Sequence, residues 1–215
     1  NDILNAQQSK YAMMPVNIAF REIKSEAGNY AMVGLPCHIH AFKRLQTLRQ
    51  DLASKVLVTI GLFCGCNMSF GATMSLLKRL TVKRLSDITG VEYRGGPRPG
   101  GFTVTLKDGK SLFVKKPDYD YLMAIYAPRV CLLCTDYANE LADISVGDLK
   151  VRAVRGKDPG LSLVMTRSEI GRKVVEDASK AGYLVLQNVD GEKILRGHRF
   201  GISFKKTGGP IRRYY

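Results

Sequence analysis

Apolar positions come in two textures along the first hundred residues. Two short unbroken runs, residues 29–35 (NYAMVGL) and 56–63 (VLVTIGLF), have the pattern of strands buried on both faces. Between them Ile39, Phe42, Leu45 and Leu48 recur every third residue, while Lys43, Arg44 and Arg49 take the other side. This predicts an amphipathic helix from His38 onward. Pro36 closes the first strand, so the segment predicts a β-α-β unit. Ser69 is the expected N-cap of a second helix that turns Met74, Leu77 and Leu80 inward.

The texture then changes. Residues 94–101 (RGGPRPGG) predict a loop, and FTVTL, KDGK and SLFV predict a hairpin turning at Asp108-Gly109, which forms an inserted lobe. A short helix is expected over 118–126, followed by a long loop, CLLCTDYANELADISVGDL, and a basic connection, KVRAVRGKDPG. LSLVMT predicts a strand. The helix of 168–181 is expected to bury Ile170, Val174 and Ala178, to be capped by Thr166 with Glu169, and to stop at Gly182. GYLVLQNV predicts one more strand, and the closing KKTGGPIRRYY is expected to be peripheral or an oligomer contact. The fold class is therefore α/β (α+β): a mixed sheet flanked by helices, with an inserted β-hairpin and a cysteine-rich loop.

Composition changes the picture in one respect. The 215 residues carry 33 Lys plus Arg against 19 Asp plus Glu, a net charge of +14, which favours anionic partners over a neutral surface. Nucleic acid is disfavoured, because there is no concentrated basic run, no Trp and no aromatic ribonucleoprotein-type motif. No apolar run approaches the roughly 20 residues that span a bilayer. The first residues lack a basic stretch followed by an apolar one, so no secretory signal is visible. RGGPRPGG suits anions, yet it lacks the spacing of a Walker or dinucleotide loop and joins no strand directly to a helix. Among the basic residues, Arg94, Arg98, Lys115, Lys116, Arg152, Arg155 and Lys157 are candidates to attract a phosphate, a carboxylate tail or an acidic protein.

Chemistry concentrates in five cysteines: Cys37, Cys64, Cys66, Cys131 and Cys134. An odd count without a signal peptide predicts a reducing, cytoplasmic setting in which clustered thiols bind metal or carry redox chemistry. Cys37 and Cys64 each follow a predicted strand, and ligands collect beyond the carboxyl ends of strands in open α/β sheets. Cys131-x-x-Cys134 lets two sulfurs point the same way from one loop. Spacing leaves three readings open. They are a structural zinc site of Cys64, Cys66, Cys131 and Cys134, a four-iron cluster on four thiolates, and a set of packed thiols. A nucleophilic Cys37 near His38 and His40 is a weaker fourth, because no third orienting group is marked.

Taken in order, VGLPCHIHAFKRLQ, IGLFCGCNMSF, CLLCTDYANELADISVGDL and GLSLVMTRSEIGRKVVEDA resemble the C-terminal region of the coenzyme F420 hydrogenase β-subunit family. That family includes F420-linked formate dehydrogenase and sulfite reductase modules and the plant 7-hydroxymethyl chlorophyll a reductase. The resemblance implies an iron-sulfur flavoprotein oxidoreductase that passes electrons between a 4Fe-4S cluster, FAD and an organic acceptor such as coenzyme F420. It implies Cys37, Cys64, Cys131 and Cys134 as cluster ligands and Cys66 as the spare. Ser9, Lys10 and Tyr11 correspond to the junction with a flavin-contact region that precedes this part in the family. Residues 1–16 are accordingly expected to be a remnant of that region, 17–190 the family domain and 191–215 an extension. Asp143 and Asp148 of ADISVGD are candidates to fix a ribose or to order the cysteine loop. The partners implied are a ferredoxin-, hydrogenase- or dehydrogenase-like redox protein or subunit, an anionic cofactor, and a second copy of the chain.

Overall fold

The computed structural model describes residues 9–25, 27–96, 100–150 and 160–214. Contacts divide the chain into two compact units, one of Cys66–Leu132 with the described residues up to Met14, the other of Pro15–Gly65 and Leu133–Tyr215.

The larger unit is built on a four-stranded sheet. Helix α1 (Ala19–Ser25) leads into β1 (Tyr30–Gly34), α2 (Pro36–Leu48) and β2 (Val56–Leu62), and β1 lies parallel to β2 with Gly34 opposite Gly61. This is the expected β-α-β unit. On α2, Ile39 and Phe42 are buried as the periodicity requires, but Leu48 is exposed at the helix end. Phe42 packs with Ile23 and Val56 and stacks on Phe20.

Two corrections concern the rest of this sheet. Residues expected to lie in the cysteine loop form β6 (Ile144–Asp148), which pairs parallel with β2 and antiparallel with β7 (Ser162–Thr166), giving the order β1-β2-β6-β7. The expected last strand, 182–189, does not form, and residues 184–190 have no regular structure. Helix α6 (Glu169–Lys180) begins where expected, but its cap is Ser168, whose hydroxyl accepts from the Gly171 amide, rather than Thr166, which belongs to β7. It ends at Gly182, whose φ of 79° is the left-handed stop expected there. Ile170 and Val174 are less buried than their spacing predicts, and Gly171 packs on the backbone of Asp143 instead.

The chain closes with α7 (Gly191–Ile202), a π turn over Ser203–Thr207 and α8 (Gly208–Tyr214), one continuous helical rod. Its buried positions are His198, Lys205 and Gly209, and Ile194, Ile202 and Phe204 are half-buried. A Cβ on Gly201 would overlap the Tyr137 ring, and one on Gly209 would sit tightly against the Cys134 carbonyl.

The smaller unit is an antiparallel sheet of β3 (Ile88–Gly95), β4 (Gly101–Leu106) and β5 (Ser111–Lys115) with α3 (Phe70–Arg79). The hairpin of β4 and β5 is as expected; β3 was not expected, and Arg94 and Gly95 of the supposed loop belong to it. Leu76, Leu77, Phe102, Val104 and Tyr119 make its core. Met74 faces outward, and Leu76 takes the place expected of it. The predicted helix over 118–126 is a 3-10 turn followed by α4 (Leu122–Tyr126), and a short α5 (Arg129–Leu133) carries Cys131.

Candidate functional site

In the larger unit the carboxyl ends of β1 and β2 stand side by side. Cys37 is the second residue of α2, after a Pro36 that needs no amide partner at that position. The Leu35 amide donates to His38 Nδ1 over 3.2 Å, so His38 caps its own helix. Burial lowers its pKa and keeps the imidazole neutral. His38 is therefore occupied as a cap and is not poised as a base for Cys37. Cys64 lies two residues beyond β2, and its amide donates to the Tyr137 carbonyl over 2.9 Å.

The loop from Cys134 to Asp143 is tied across these strand ends. Asn139 is fully buried in a left-handed conformation, φ 58°, which asparagine tolerates better than most residues. Its Nδ2 donates to Gly34 O at 2.9 Å and to Leu62 O at 3.3 Å, clamping the ends of β1 and β2 with one amide. A Cβ on Gly61 would overlap that side chain, which explains a glycine inside a strand. Ser145 Oγ donates to the Asn139 carbonyl, and Arg167 donates to Ser145 Oγ at 2.7 Å and to the Ala138 carbonyl. Asp143 closes the far end. Its Oδ2 accepts from the Thr59 amide (2.8 Å) and hydroxyl (2.6 Å), and its own amide donates to Thr59 Oγ1. Burial works to raise this carboxyl, but the hydrogen bonds from Thr59 and Ser168 outweigh it, assisted by Lys43, and hold it below the usual range. Of the two roles weighed for Asp143, ordering the loop is the one its contacts support.

Asp136 was missed in the sequence. Its side chain is 4% exposed, its Oδ2 faces His40 Nε2 at 3.0 Å and accepts from the Glu140 amide, and its Oδ1 is buried without a partner among the described residues. Cys134 Sγ lies 3.5 Å from the Asp136 carbonyl. Behind the loop, the Tyr137 hydroxyl bonds His198 Nδ1 at 3.0 Å, and Phe63 packs against both rings. Burial and the Lys150 charge lower the His198 pKa.

Cys37, Cys64 and Cys134 thus belong to the same unit, two beyond neighbouring strand ends and one on the loop laid over them. Cys66 and Cys131 belong to the smaller unit. Cys37 is exposed and the other four are half-buried. Among the described residues no three His, Cys, Asp or Glu side chains are gathered closely enough to hold a metal ion. The donor chemistry, thiols at strand ends and one at a helix N-terminus, suits a thiolate-bound centre, but this geometry does not assemble it. Asp148 is exposed at the end of β6. In the smaller unit Ser9 and Lys10 are exposed, while Tyr11 is held: Arg94 donates to its hydroxyl at 3.1 Å, and the Lys116 ammonium sits 5.0 Å from its ring centroid. Arg98, Arg152, Arg155 and Lys157 lie outside the described residues. No described helix is long and apolar enough to cross a membrane.

A family model for the C terminus of the coenzyme F420 hydrogenase/dehydrogenase beta chain matches residues 27–192. The beta chain of the coenzyme F420 hydrogenase of Methanococcus voltae is 28% identical over 89% of this chain and 65% of its own length. An F(420)H(2) dehydrogenase component from Methanosarcina mazei is 31% identical over 80% of this chain and 45% of its own. The chain therefore spans under two thirds of the first relative and under half of the second. In fold it matches a chain of the F420-reducing [NiFe] hydrogenase complex from Methanosarcina barkeri with a TM-score of 0.67 and 23% identity, over 99% of this chain and 69% of that one.

Proposed function

We propose, since this chain belongs to the family defined by the C terminus of the coenzyme F420 hydrogenase/dehydrogenase beta chain, that it is an oxidoreductase module in which Cys37, Cys64, Cys131 and Cys134 hold a 4Fe-4S cluster. In this reading the module works with a flavin and with coenzyme F420 or a similar organic acceptor. The observation that carries it is the pair of cysteines beyond adjacent parallel strand ends, with the loop that follows Cys134 clamped over the same ends by Asn139. A bound cluster supplies one-electron transfer, and a flavin couples it to two-electron hydride chemistry.

The residues act by holding and orienting. The N-terminal amides and dipole of α2 favour the thiolate form of Cys37. The Tyr137 carbonyl fixes the backbone at Cys64, and Asn139 keeps the two strand ends at a constant separation. Around Tyr11, Arg94 and Lys116 set positive charge beside an aromatic face, Lys116 also pairing with Asp120, and such charge suits a phosphate or carboxylate.

The test is anaerobic production, with iron, acid-labile sulfide, zinc and flavin measured on one sample and the absorbance spectrum taken before and after dithionite. Iron and sulfide near four per chain and bleaching near 400 nm are expected for such a cluster, roughly where cysteinyl iron-sulfur centres absorb. Cys37→Ser removes the cluster and Cys66→Ser leaves it. One zinc per chain without iron refutes the proposal and favours a basic binding module in which Cys64 and Cys66 take part in a structural zinc site.

A further inference from the structure

We infer that the outward face of the C-terminal helical rod, with the segment that leads into it, is a docking surface for an acidic protein partner. A surface helix ordinarily turns its apolar stripe inward. Here the apolar residues are divided between the two sides. The buried positions are His198, Lys205 and Gly209, with Ile194, Ile202 and Phe204 half-buried, while Phe200 and Tyr214 are 86% and 90% exposed and Leu195 and Ile211 are more than half exposed. The preceding residues repeat the pattern, with Val185 92% exposed and Tyr183 nearly as open. Exposed apolar side chains concentrated on one stretch of chain mark an interaction site rather than scattered surface residues.

Charge selects the partner. Lys193, Arg196, Arg199, Lys206 and Arg213 are exposed on this rod, and Glu192 is the only acid within it. Arg196 reaches Glu192 only at 3.8 Å, and Lys206 pairs with Glu140. Helix α6 is the contrast within the same unit. Its Arg172 is flanked by Glu169 and Glu176, and its Lys173 and Lys180 share Asp177, so its charges cancel internally. The excess on the rod is matched by carboxylates on another molecule, around a hollow that receives Phe200.

Backbone chemistry favours protein over a lipid surface. Residues 184–190 belong to no helix or strand, and among the described residues no ladder engages them, although the Leu184 carbonyl accepts from Ser179 Oγ and the Asp190 carbonyl from the Ile194 amide. Lipid tails leave backbone groups outside a ladder unsatisfied, whereas an approaching polypeptide can pair with them. The docking surface is the same whichever cofactor the module holds.

The experiment uses the full chain, tagged and purified in its native assembly, and a zero-length carbodiimide that joins amines to carboxylates. Lys206 coupled to Glu140 of the same chain is the internal control. The expected result is Lys193 coupled to an Asp or Glu of a different polypeptide. The double variant R199E/F200D should lower that yield about tenfold, the loss typical of removing a central anchor and its charge. Its circular dichroism should be unchanged, since both side chains are exposed; Leu195→Ser serves as an independent second variant. Coupling only between two copies of this chain, read by mixing 14N and 15N protein, overturns the inference. So does the absence of any intermolecular coupling, or binding to phosphatidylcholine/phosphatidylglycerol vesicles that the same variants abolish.

Discussion

Replacing Asn139 by alanine tests how far the strand ends depend on one amide. The change removes the donor that serves Gly34 O and Leu62 O inside a fully buried site. Leaving a buried carbonyl without its donor costs about 1–3 kcal/mol. Alanine must also hold φ near 58°, which costs about 1 kcal/mol relative to residues that accept the left-handed region. One term opposes these: Asn139 Oδ1 is buried without a partner among the described residues, and its removal relieves a desolvated acceptor. The net expectation is a loss of about 2 kcal/mol, or a melting midpoint lower by roughly 4–8 °C for a chain of this size. Urea unfolding followed by circular dichroism, with wild type, Asn139→Ala and Asn139→Gly side by side, separates the two costs. Glycine restores the backbone but not the amide, so it should recover about 1 kcal/mol of the loss. A loss below about 0.5 kcal/mol in the alanine variant, within the range of an ordinary surface substitution, would refute the clamp. Equal losses in the two variants would refute the strain argument alone.

Three further outcomes follow from the same unit. Thr59→Val keeps the shape but strips both hydroxyl bonds from Asp143, and should cost about 2–3 kcal/mol because one of them serves a charged group. The folded Asp143 carboxyl, normally depressed, then rises, so stability that wild type keeps until the pH falls through that low value is lost at higher pH in the variant; acid titration of the unfolding midpoint reads the difference. His198 has its folded pKa lowered from 6.5, so the unfolded chain binds the extra proton first; its contribution is complete above about pH 6.5 and falls as pH drops toward the folded value. Urea midpoints at pH 7.5 and 5.5 should differ less in His198→Gln than in wild type, with a remaining slope of the same sign from His38. Gly201→Leu drives a side chain into the Tyr137 ring and should cost about 1–3 kcal/mol, with faster amide exchange along the C-terminal rod; unchanged exchange would mean the rod is not seated there.

What could be read from the chain alone was what short-range pattern encodes. The β-α-β unit, the β4–β5 hairpin and α6 followed from apolar period, Pro36, Asp108-Gly109 and Gly182, and the placement of Cys37 and Cys64 at strand ends followed from them. β3 was hidden because Gly90 and Gly95 interrupt its apolar pattern, and its pairing with β4 carries register shifts at those glycines. β6 was hidden by the polar Asn139-to-Asp143 stretch before it, although Ile144 and Ser145 are buried between β2 and β7. Residues 183–189 misled in the opposite direction, since their apolar run matches a strand yet no partner strand lies beside them among the described residues. Asn139 had one local trace, the glycine at position 61 that makes room for it from 78 positions upstream; such a long-range fit shows only when both ends are seen together.

The loop and the rod impose one constraint on any centre the cysteines hold. Tyr137 and Asn139 are two residues apart, and they face different structures: Asn139 grips the strand ends below, while the Tyr137 ring meets Gly201 and His198 of the rod behind. The Tyr137 carbonyl meanwhile holds the Cys64 amide. The rod is therefore linked through Tyr137 to the backbone amide of Cys64, itself a candidate ligand. Since the outward face of that same rod carries the docking residues Phe200 and Arg199, partner binding and the setting of Cys64 share a single mechanical element. Hydrogen exchange at the Cys64 amide, compared between the free chain and the cross-linked assembly, should slow on partner binding in wild type and lose that response in Gly201→Leu. An exchange rate that is the same with and without the partner would show that the two faces of the rod act independently.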